Sequence, residues 1–203
     1  MVDNQIILYT SALINNQFES RKNDYIQSYN ILLDIIDYKN IFIVECYSNN
    51  ENFFSEFKSP KFLTNTHISE IKNKGVLEVM GMKKFIENTE ISDETLIIKI
   101  TGRYKFINDD FFKLINTNKN FDFYGKLIDN NTQIFTGCFA LRKKHFKNFF
   151  NFCNLDNMEK NMINFEKKMF NFLNENNINS FFTDNINIEC PIFGYGNIQT
   201  HNI

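Results

Sequence analysis

The chain has 203 residues, of which 43% are hydrophobic and 16% aromatic, so it can bury a sizeable core. We therefore expect one domain spanning residues 1–203. The 22 basic and 24 acidic residues are interspersed and give a net charge of -2, which argues against a primary role in nucleic-acid binding. The four cysteines and three histidines lack metal-ligand spacing, so no zinc site is expected.

The compartment is predicted from the same composition. The first residues lack the basic and apolar segments of a signal peptide, and the apolar runs are too short to span a bilayer. Cysteines without a disulfide pattern are typical of reduced thiols in a reducing compartment. We therefore expect a cytoplasmic protein without a transmembrane segment.

Buried strands and amphipathic helices alternate along the first half of the chain. Apolar runs predict strands at 6–9, 41–44 and 96–100, and helical spacing predicts helices over 25–36 and 71–86. This alternation is typical of βαβ units, so the predicted fold class is α/β, with a mainly parallel, Rossmann-like sheet flanked by helices.

The second half mixes strands and helices less regularly. Its predicted elements are strands at 121–128 and 133–141 around an Asn130-Asn131 turn, a helix starting near Phe146, a helix over 156–174, and strands at 181–182 and 186–192. The Met and Phe side chains of the 156–174 helix are expected to be core.

Polar residues follow three of the predicted parallel strands. Thr10 and Ser11 end the first, Glu45 ends the second, and Thr101-Gly102-Arg103 ends the third. Ligands of open α/β sheets bind at the carboxyl ends of strands, so these residues are expected to share one crevice. Gly102 permits close backbone approach to a ligand, and Arg103 offers donors that suit a diphosphate. The alternative is a strand-end turn whose Arg pairs with a surface carboxylate.

Two lysines have positions that suit anion binding. Lys74 stands in Asn73-Lys74-Gly75 at a predicted helix start, where backbone N–H groups favour an anion. For this segment taken alone, an ordinary helix start with a solvated Lys is the better explanation. Lys99 interrupts an apolar run, so its side chain either reaches the strand edge or points into a polar cleft.

The outline of residues 96–115 resembles the central segment of GT-A fold glycosyltransferases. In that family an apolar strand ends in an Asp-x-Asp metal motif and is followed by a turn and a helix. Here the strand, the Asn108-Asp109 turn and the apolar helix face fit, but Thr101-Gly102-Arg103 replaces the acidic motif. The resemblance covers most of the chain in order. It implies transfer of a sugar from a nucleotide sugar to a glycan acceptor, with no cofactor and no divalent metal expected.

The resemblance also implies roles for individual residues. Arg103 and a Lys would stabilise the diphosphate, and Glu159, with Asp156 as the second choice, would deprotonate the acceptor hydroxyl. Glu166, two turns further along the same predicted helix, should tolerate substitution far better if it faces solvent. Implied on the nucleotide-sugar side are Thr10, Ser11, Arg21, Tyr25, Glu45, Asn73, Lys74, Gly75, Lys99, Thr101 and Gly102. Implied on the acceptor side are Thr136, Gly137 and Cys138, where Gly137 either admits a sugar ring or marks a tight packing position.

Two other functions remain open at this point. A nucleotidyltransferase has a similar α/β layout, but no Gly-rich phosphate loop follows the first predicted strand. A binding module with the same fold would hold the nucleotide sugar without turnover. Nucleotide binding is common to all three functions, so turnover must separate them.

Overall fold

The structure is a computed structural model that describes residues 5–12, 18–46, 55–64, 71–194 and 197–202. Its helices are α1 (Phe18–Leu33), α2 (Lys74–Glu87), α3 (Asp110–Thr117), α4 (Lys143–Cys153), α5 (Leu155–Lys160), α6 (Phe165–Glu175) and a 3-10 turn at Tyr38–Asn40. Its strands are β1 (Gln5–Ser11), β2 (Ile41–Glu45), β3 (Lys61–Leu63), β4 (Leu96–Thr101), β5 (Lys105–Phe106), β6 (Phe123–Gly125), β7 (Leu127–Ile128), β8 (Gln133–Ile134), β9 (Cys138–Arg142), β10 (Ser180–Phe182), β11 (Ile188–Gly194) and β12 (Asn197–Asn202).

Seven strands form the central sheet in the order β10-β6-β9-β4-β1-β2-β3. The neighbours pair in parallel except at β9, which runs antiparallel to both β4 and β6. The predicted mainly parallel α/β sheet is therefore confirmed. Two small sheets accompany it, one of β12, β11 and β5 and one of β7 and β8.

Side chains alternate between two cores on the two faces of this sheet. Ile7 and Tyr9 enter a core that α1 and α3 cover, whereas Leu8 enters a core covered by α2, α4 and α6. A strand buried on both faces reads as a continuous apolar run, which is why the strands were visible in the sequence. Lys99 shares its face with Ile97, on the side of α2 and α6, because alternate strand residues share a face. Within the described residues, no helix is both long and apolar enough to cross a bilayer.

The predicted single helix over 156–174 is wrong. The segment forms α5 and α6, which are separated by a turn in which Met162 has a left-handed backbone with φ of 49°. Asn164 caps α6, because its side chain accepts a hydrogen bond from the Lys167 N–H. The apolar stripe is nevertheless core, since Met158, Phe165 and Met169 are buried. The new helix start at Phe165 changes which acidic residues can reach a site.

The long strands predicted at 121–128 and 133–141 are also divided. Their outer parts, β6 and β9, pair in the central sheet, and their inner parts, β7 and β8, form a separate hairpin. The turn between β7 and β8 has left-handed backbones at Asp129, Asn130 and Asn131, residue types that tolerate this conformation. Because β9 is antiparallel to β4, the residues just before Cys138 lie beside the carboxyl end of β4.

Candidate active site

A cavity of about 660 Å³ opens where β1 and β4 end and where α2 and α6 begin. Its size suits a small-molecule ligand, and its position is the expected one for an open α/β sheet. The sequence-predicted residues that line it are Thr10, Ser11, Arg21, Tyr25, Asn73, Lys74, Gly75, Thr101, Arg103, Thr136 and Gly137. Residues far apart in the sequence thus meet in one cavity.

Among the described residues, four cations line this cavity: the exposed Lys72, which precedes α2, and a group of three from different elements. Arg21 comes from α1, Lys74 is the first residue of α2, and Arg103 follows β4. Burial lowers the pKa of Arg21, and the charge of Arg103 lowers that pKa further. Desolvation lowers the pKa of Lys74, and so do the charges of Arg21 and Arg103. The three positive charges therefore repel one another, and an anion between them would relieve that repulsion.

The start of α2 is fixed by Asn73. Its side-chain oxygen accepts a hydrogen bond from the Gly75 N–H at 3.0 Å, and its amide donates to the carbonyls of Met158 and Ile163 at 3.1 and 2.9 Å. These bonds tie α2 to the α5–α6 segment and leave the first turn of α2 at the cavity wall. The partial positive charge of a helix N-terminus adds to that of Lys74.

Lys99 does not line the cavity; it lies beneath the cavity wall. Its side chain is fully buried, and its Nζ donates to Thr101 Oγ1 at 2.7 Å and to the Thr136 carbonyl at 2.5 Å. The same Nζ pairs with Glu78 Oε1 at 2.7 Å. An ammonium has three hydrogens to donate, and these three partners use them. Lys99 therefore ties together α2, β4 and the segment before β9, and does not face a diphosphate.

Glu78 lines the cavity, although the sequence reasoning did not select it. Its Oε1 accepts hydrogen bonds from Thr10 Oγ1 at 2.7 Å and from Thr101 Oγ1 at 3.4 Å. Its spacing in the sequence could have identified it, since Glu78 stands four residues after Lys74 and so shares a helix face with it.

Three other sequence-predicted residues are not among those lining the cavity. Glu45 is fully buried and accepts a hydrogen bond from Ser11 Oγ at 2.5 Å. Gly102 is buried, and a side chain there would overlap the ring of Tyr9, so its glycine serves packing. Cys138 is fully buried, and burial raises the pKa of its thiol. These residues support the cavity wall from behind.

The wall nearest β9 combines a carboxylate with two aromatic rings. Thr136 Oγ1 donates to Glu166 Oε1 at 2.6 Å. The rings of Tyr104 and Phe135 stack with a centroid distance of 5.8 Å and an interplanar angle of 14°. A side chain at Gly137 would overlap the Tyr104 ring, so the tight packing anticipated as an alternative for this glycine is what the structure has. Glu166, Tyr104 and Phe135 all line the cavity.

The two acids expected to supply a base lie elsewhere. Glu159 accepts hydrogen bonds from the N–H groups of Lys72 and Asn73, at 2.9 and 3.0 Å, and does not line the cavity. Asp156 is exposed in the first turn of α5. Glu166, by contrast, stands in the first turn of α6 with its carboxylate at the cavity. The condition that Glu166 faces solvent is not met, because the break between α5 and α6 turns the start of α6 toward the cavity.

Comparisons with known proteins agree with this architecture. No protein-family model matches the chain, and no curated protein matches it in sequence. Solved structures that resemble it include the galactosyltransferase LgtC in complex with donor and acceptor sugar analogues, with 9% identity, a TM-score of 0.56, and coverage of 87% of this chain and 72% of that one. A glycosyltransferase involved in glycosylation of the major capsid of PBCV-1 gives 11% identity, a TM-score of 0.54 and coverage of 89% and 81%. The chain has the GT-A glycosyltransferase fold.

A cytidylyltransferase from Leptospira borgpetersenii serovar Hardjo-bovis resembles the chain to a similar degree. Its identity is 10%, its TM-score is 0.53, and the match covers 91% of this chain and 77% of that one. At such identities the likeness shows the fold alone. The fold alone therefore does not distinguish sugar transfer from nucleotidyl transfer, which depend on the side chains that line the cavity.

The residues present do not fit the divalent metal ion that GT-A enzymes with an Asp-x-Asp motif bind. Within the described residues, no three Asp, Glu, His or Cys side chains lie close enough to share a metal ion. Asp109 pairs with Lys113, and Asp110 accepts a hydrogen bond from Asn187, so both acids after β4 have other partners. Glu78, the carboxylate beside Thr101, already holds the Lys99 ammonium.

Proposed function

We propose that this protein is a glycosyltransferase that moves a sugar from a nucleotide-diphosphate sugar to a glycan acceptor without a divalent metal ion. The observation that carries the proposal is the cluster of Arg21, Lys74 and Arg103 in the main cavity of a GT-A fold. Three fixed cations suit a diphosphate, which would neutralise their repulsion.

The cations would also act on the reaction itself. Breaking the bond between the sugar and the diphosphate leaves negative charge on the departing nucleotide. Fixed positive charges that face this charge stabilise the transition state where the charge develops. We assign this role to Arg103 and Lys74 and not to Lys99, whose ammonium is committed to Glu78, Thr101 and Thr136.

The nucleotide would bind beside the end of β1. Ser11 and Tyr25 line this part of the cavity, and Arg21 Nη1 donates to the Ala12 carbonyl at 3.0 Å. The Tyr25 hydroxyl accepts a hydrogen bond from the Ala12 N–H at 2.9 Å, which holds the segment after β1 in place.

Glu166 is the carboxylate that we propose as the general base. It lines the cavity beside Thr136, on the side that the resemblance implies for the acceptor. A carboxylate there would take the proton of the acceptor hydroxyl as that oxygen attacks the anomeric carbon. Attack from the side opposite the diphosphate inverts the anomeric centre.

Calorimetric titration with UDP, GDP, CDP and ADP tests the binding half of this proposal. At least one diphosphate should bind with the same affinity in EDTA as in Mg²⁺ or Mn²⁺. A ligand at a hundred times its Kd should also raise the stability of the fold by about 2.7 kcal/mol. Failure of all four to bind would overturn the proposal, and binding only with Mn²⁺ would overturn metal independence.

Turnover separates the proposed function from its alternatives. The likeness to a cytidylyltransferase favours nucleotidyl transfer as the second candidate. Incubation with CTP and a sugar 1-phosphate would then release pyrophosphate, whereas a glycosyltransferase would release a nucleoside diphosphate from a nucleotide sugar. A binding module would bind the nucleotide and release neither product.

A further inference from the structure

Besides the cations, the cavity is lined by carboxylates, one of them on the wall nearest β9. Glu78 and Glu166 both line the cavity, and one hydrogen-bond network connects them. Lys99 pairs with Glu78 and donates to the Thr136 carbonyl, and the Thr136 hydroxyl donates to Glu166. The Lys99 ammonium pairs with one of these two carboxylates, so the other has no cation partner within this connected group.

Tyr104 lines the cavity near charges of both signs. Burial is the main cause that raises the pKa of its phenol, with Cys190 next; Arg103 lowers that pKa, whereas Glu78 and Glu166 raise it. The ring of Tyr104 stacks on Phe135, and both rings line the cavity. Beyond Arg103, a ligand thus meets an apolar aromatic surface next to carboxylates.

We propose that the sugar bound beside this wall is uncharged, and that Glu166 makes the enzyme discriminate against acidic sugars such as uronic acids. The inference rests on the proposed function, because the position of the sugar follows from a diphosphate between Arg21, Lys74 and Arg103. The donor would then carry a neutral hexose or a related sugar, and Glu166 would determine this specificity.

The chemistry of a neutral sugar fits this wall. Its hydroxyl groups donate hydrogen bonds, and a carboxylate is a strong acceptor for them. Its apolar face can lie against the rings of Tyr104 and Phe135, as is common in sites with aromatic walls and a few placed polar groups.

An acidic sugar would be opposed by the same wall. A second carboxylate next to Glu166 places like charges together in a partly desolvated cavity, which is costly. Lys99 is held by Glu78, and Arg21, Lys74 and Arg103 would hold the diphosphate. Lys72 also lines the cavity, but it is exposed to solvent, which screens its charge.

A matched pair of donors tests this inference. The diphosphate that binds best among UDP, GDP, CDP and ADP is converted to its glucose ester and its glucuronic acid ester, which differ only at C6. Titration of the protein in EDTA with each ester measures the preference. We expect the glucose ester to bind at least about tenfold more tightly, the result of a like-charge contact in the complex.

Variants identify the source of the preference. Glu166→Gln removes the charge while keeping the shape, so the preference for the glucose ester should shrink toward unity. Glu175→Gln is the matched control, because Glu175 is an exposed residue at the other end of the same helix, and it should leave the preference unchanged.

The outcomes of this experiment separate the inference from the proposed function. If a free diphosphate binds but the glucuronic ester binds as tightly as the glucose ester, the inference is overturned and the proposed function stands. An unchanged preference in Glu166→Gln would overturn the role of that residue. If no diphosphate binds, the proposed function is overturned and the inference falls with it.

Discussion

The cluster of cations in this cavity and the lysine buried beneath its wall have opposite environments. Arg21, Lys74 and Arg103 face the cavity. Burial and then the charge of Arg103 lower the pKa of Arg21, and desolvation followed by the charges of Arg21 and Arg103 lowers the pKa of Lys74. Lys99 has no exposed side-chain surface and lies 2.7 Å from a Glu78 oxygen. A buried cation whose donors are all used serves the architecture, whereas cations that repel one another in a cavity are suited to an anionic ligand.

The carboxylates divide in the same way. Glu159 accepts two backbone N–H groups at the start of α2, and Glu166 lies at the cavity with a threonine hydroxyl as its partner. We therefore expect Lys99 and Glu159 to serve the structure, and we propose that Arg103, Lys74 and Glu166 act in binding and catalysis. A separate variant tests each of these roles.

The largest effect is expected from Glu166→Gln. Loss of a general base lowers the rate by about 10²–10⁴, so transfer should fall by that factor while the affinity for the free nucleoside diphosphate is retained. Glu159→Gln is the matched comparison, and its transfer rate should stay close to that of the parent. Both rates are measured by release of the nucleoside diphosphate from a nucleotide sugar. Full activity in Glu166→Gln combined with loss in Glu159→Gln would return the base to the residue named from sequence.

The main expected effect of Lys99→Met is a loss of folding stability. Removing one member of a buried ion pair costs about 3–5 kcal/mol, and the partial exposure of Glu78 favours the lower end of that range. Urea denaturation followed by circular dichroism measures the loss. The double variant Lys99→Met with Glu78→Gln should recover part of it, because no charge is then left without its partner. A single variant as stable as the parent would show that the pair contributes little.

The fold was predictable because its strands are buried on both faces. Leu96–Thr101 and Gln5–Ser11 read as apolar runs, and the amphipathic helices between them required parallel pairing. The antiparallel β9 was not visible, since an apolar run does not record the direction of its neighbours. The break between α5 and α6 was hidden for a related reason: the apolar stripe continues through it, although Met162 has a left-handed backbone there and Asn164 caps the next helix.

The site residues that follow strands could be predicted from the sequence. Residues whose side chains can pair with a distant element could not be placed as reliably. Thr10, Ser11, Thr101 and Arg103 follow strands, and they line the cavity. Lys99 also looked like a ligand, because a charge in an apolar run must find a polar partner. Its partner Glu78 lies 21 positions earlier on another element, and the sequence does not show that pairing.

Arg103→Ala tests the group of cations that faces the cavity. A charge-assisted contact contributes about 1.5–3 kcal/mol, so the affinity for the nucleoside diphosphate should fall by about one to two orders of magnitude. The urea midpoint should change little, because the residue follows β4 at the cavity and is only partly buried. Arg103→Lys should rescue binding in part, since Lys restores the charge but not a bidentate contact. Unchanged affinity in Arg103→Ala would make Arg103 a structural residue.

The smallest effect concerns Lys74 and pH. In the free protein, desolvation and the charges of Arg21 and Arg103 lower the pKa of Lys74, and a bound diphosphate would raise that pKa again. As the pH rises through the lowered pKa, the free protein loses a proton that the complex keeps, so affinity should fall. The effect of pH on folding stability has the opposite sign. Because the unfolded chain binds the proton more tightly, the contribution of Lys74 to stability rises with pH over the same interval.

Titrations at constant ionic strength across the alkaline range measure the change in diphosphate affinity. Since Lys74 is exposed enough for solvent to screen it, we expect a loss of about two- to fivefold, the value of a single exposed ion pair. Lys74→Arg is the control, because a guanidinium stays charged throughout and should make affinity independent of pH. Equal pH dependence in the two proteins would mean that another group titrates, and Lys74 would then lose its place among the cations that hold the diphosphate.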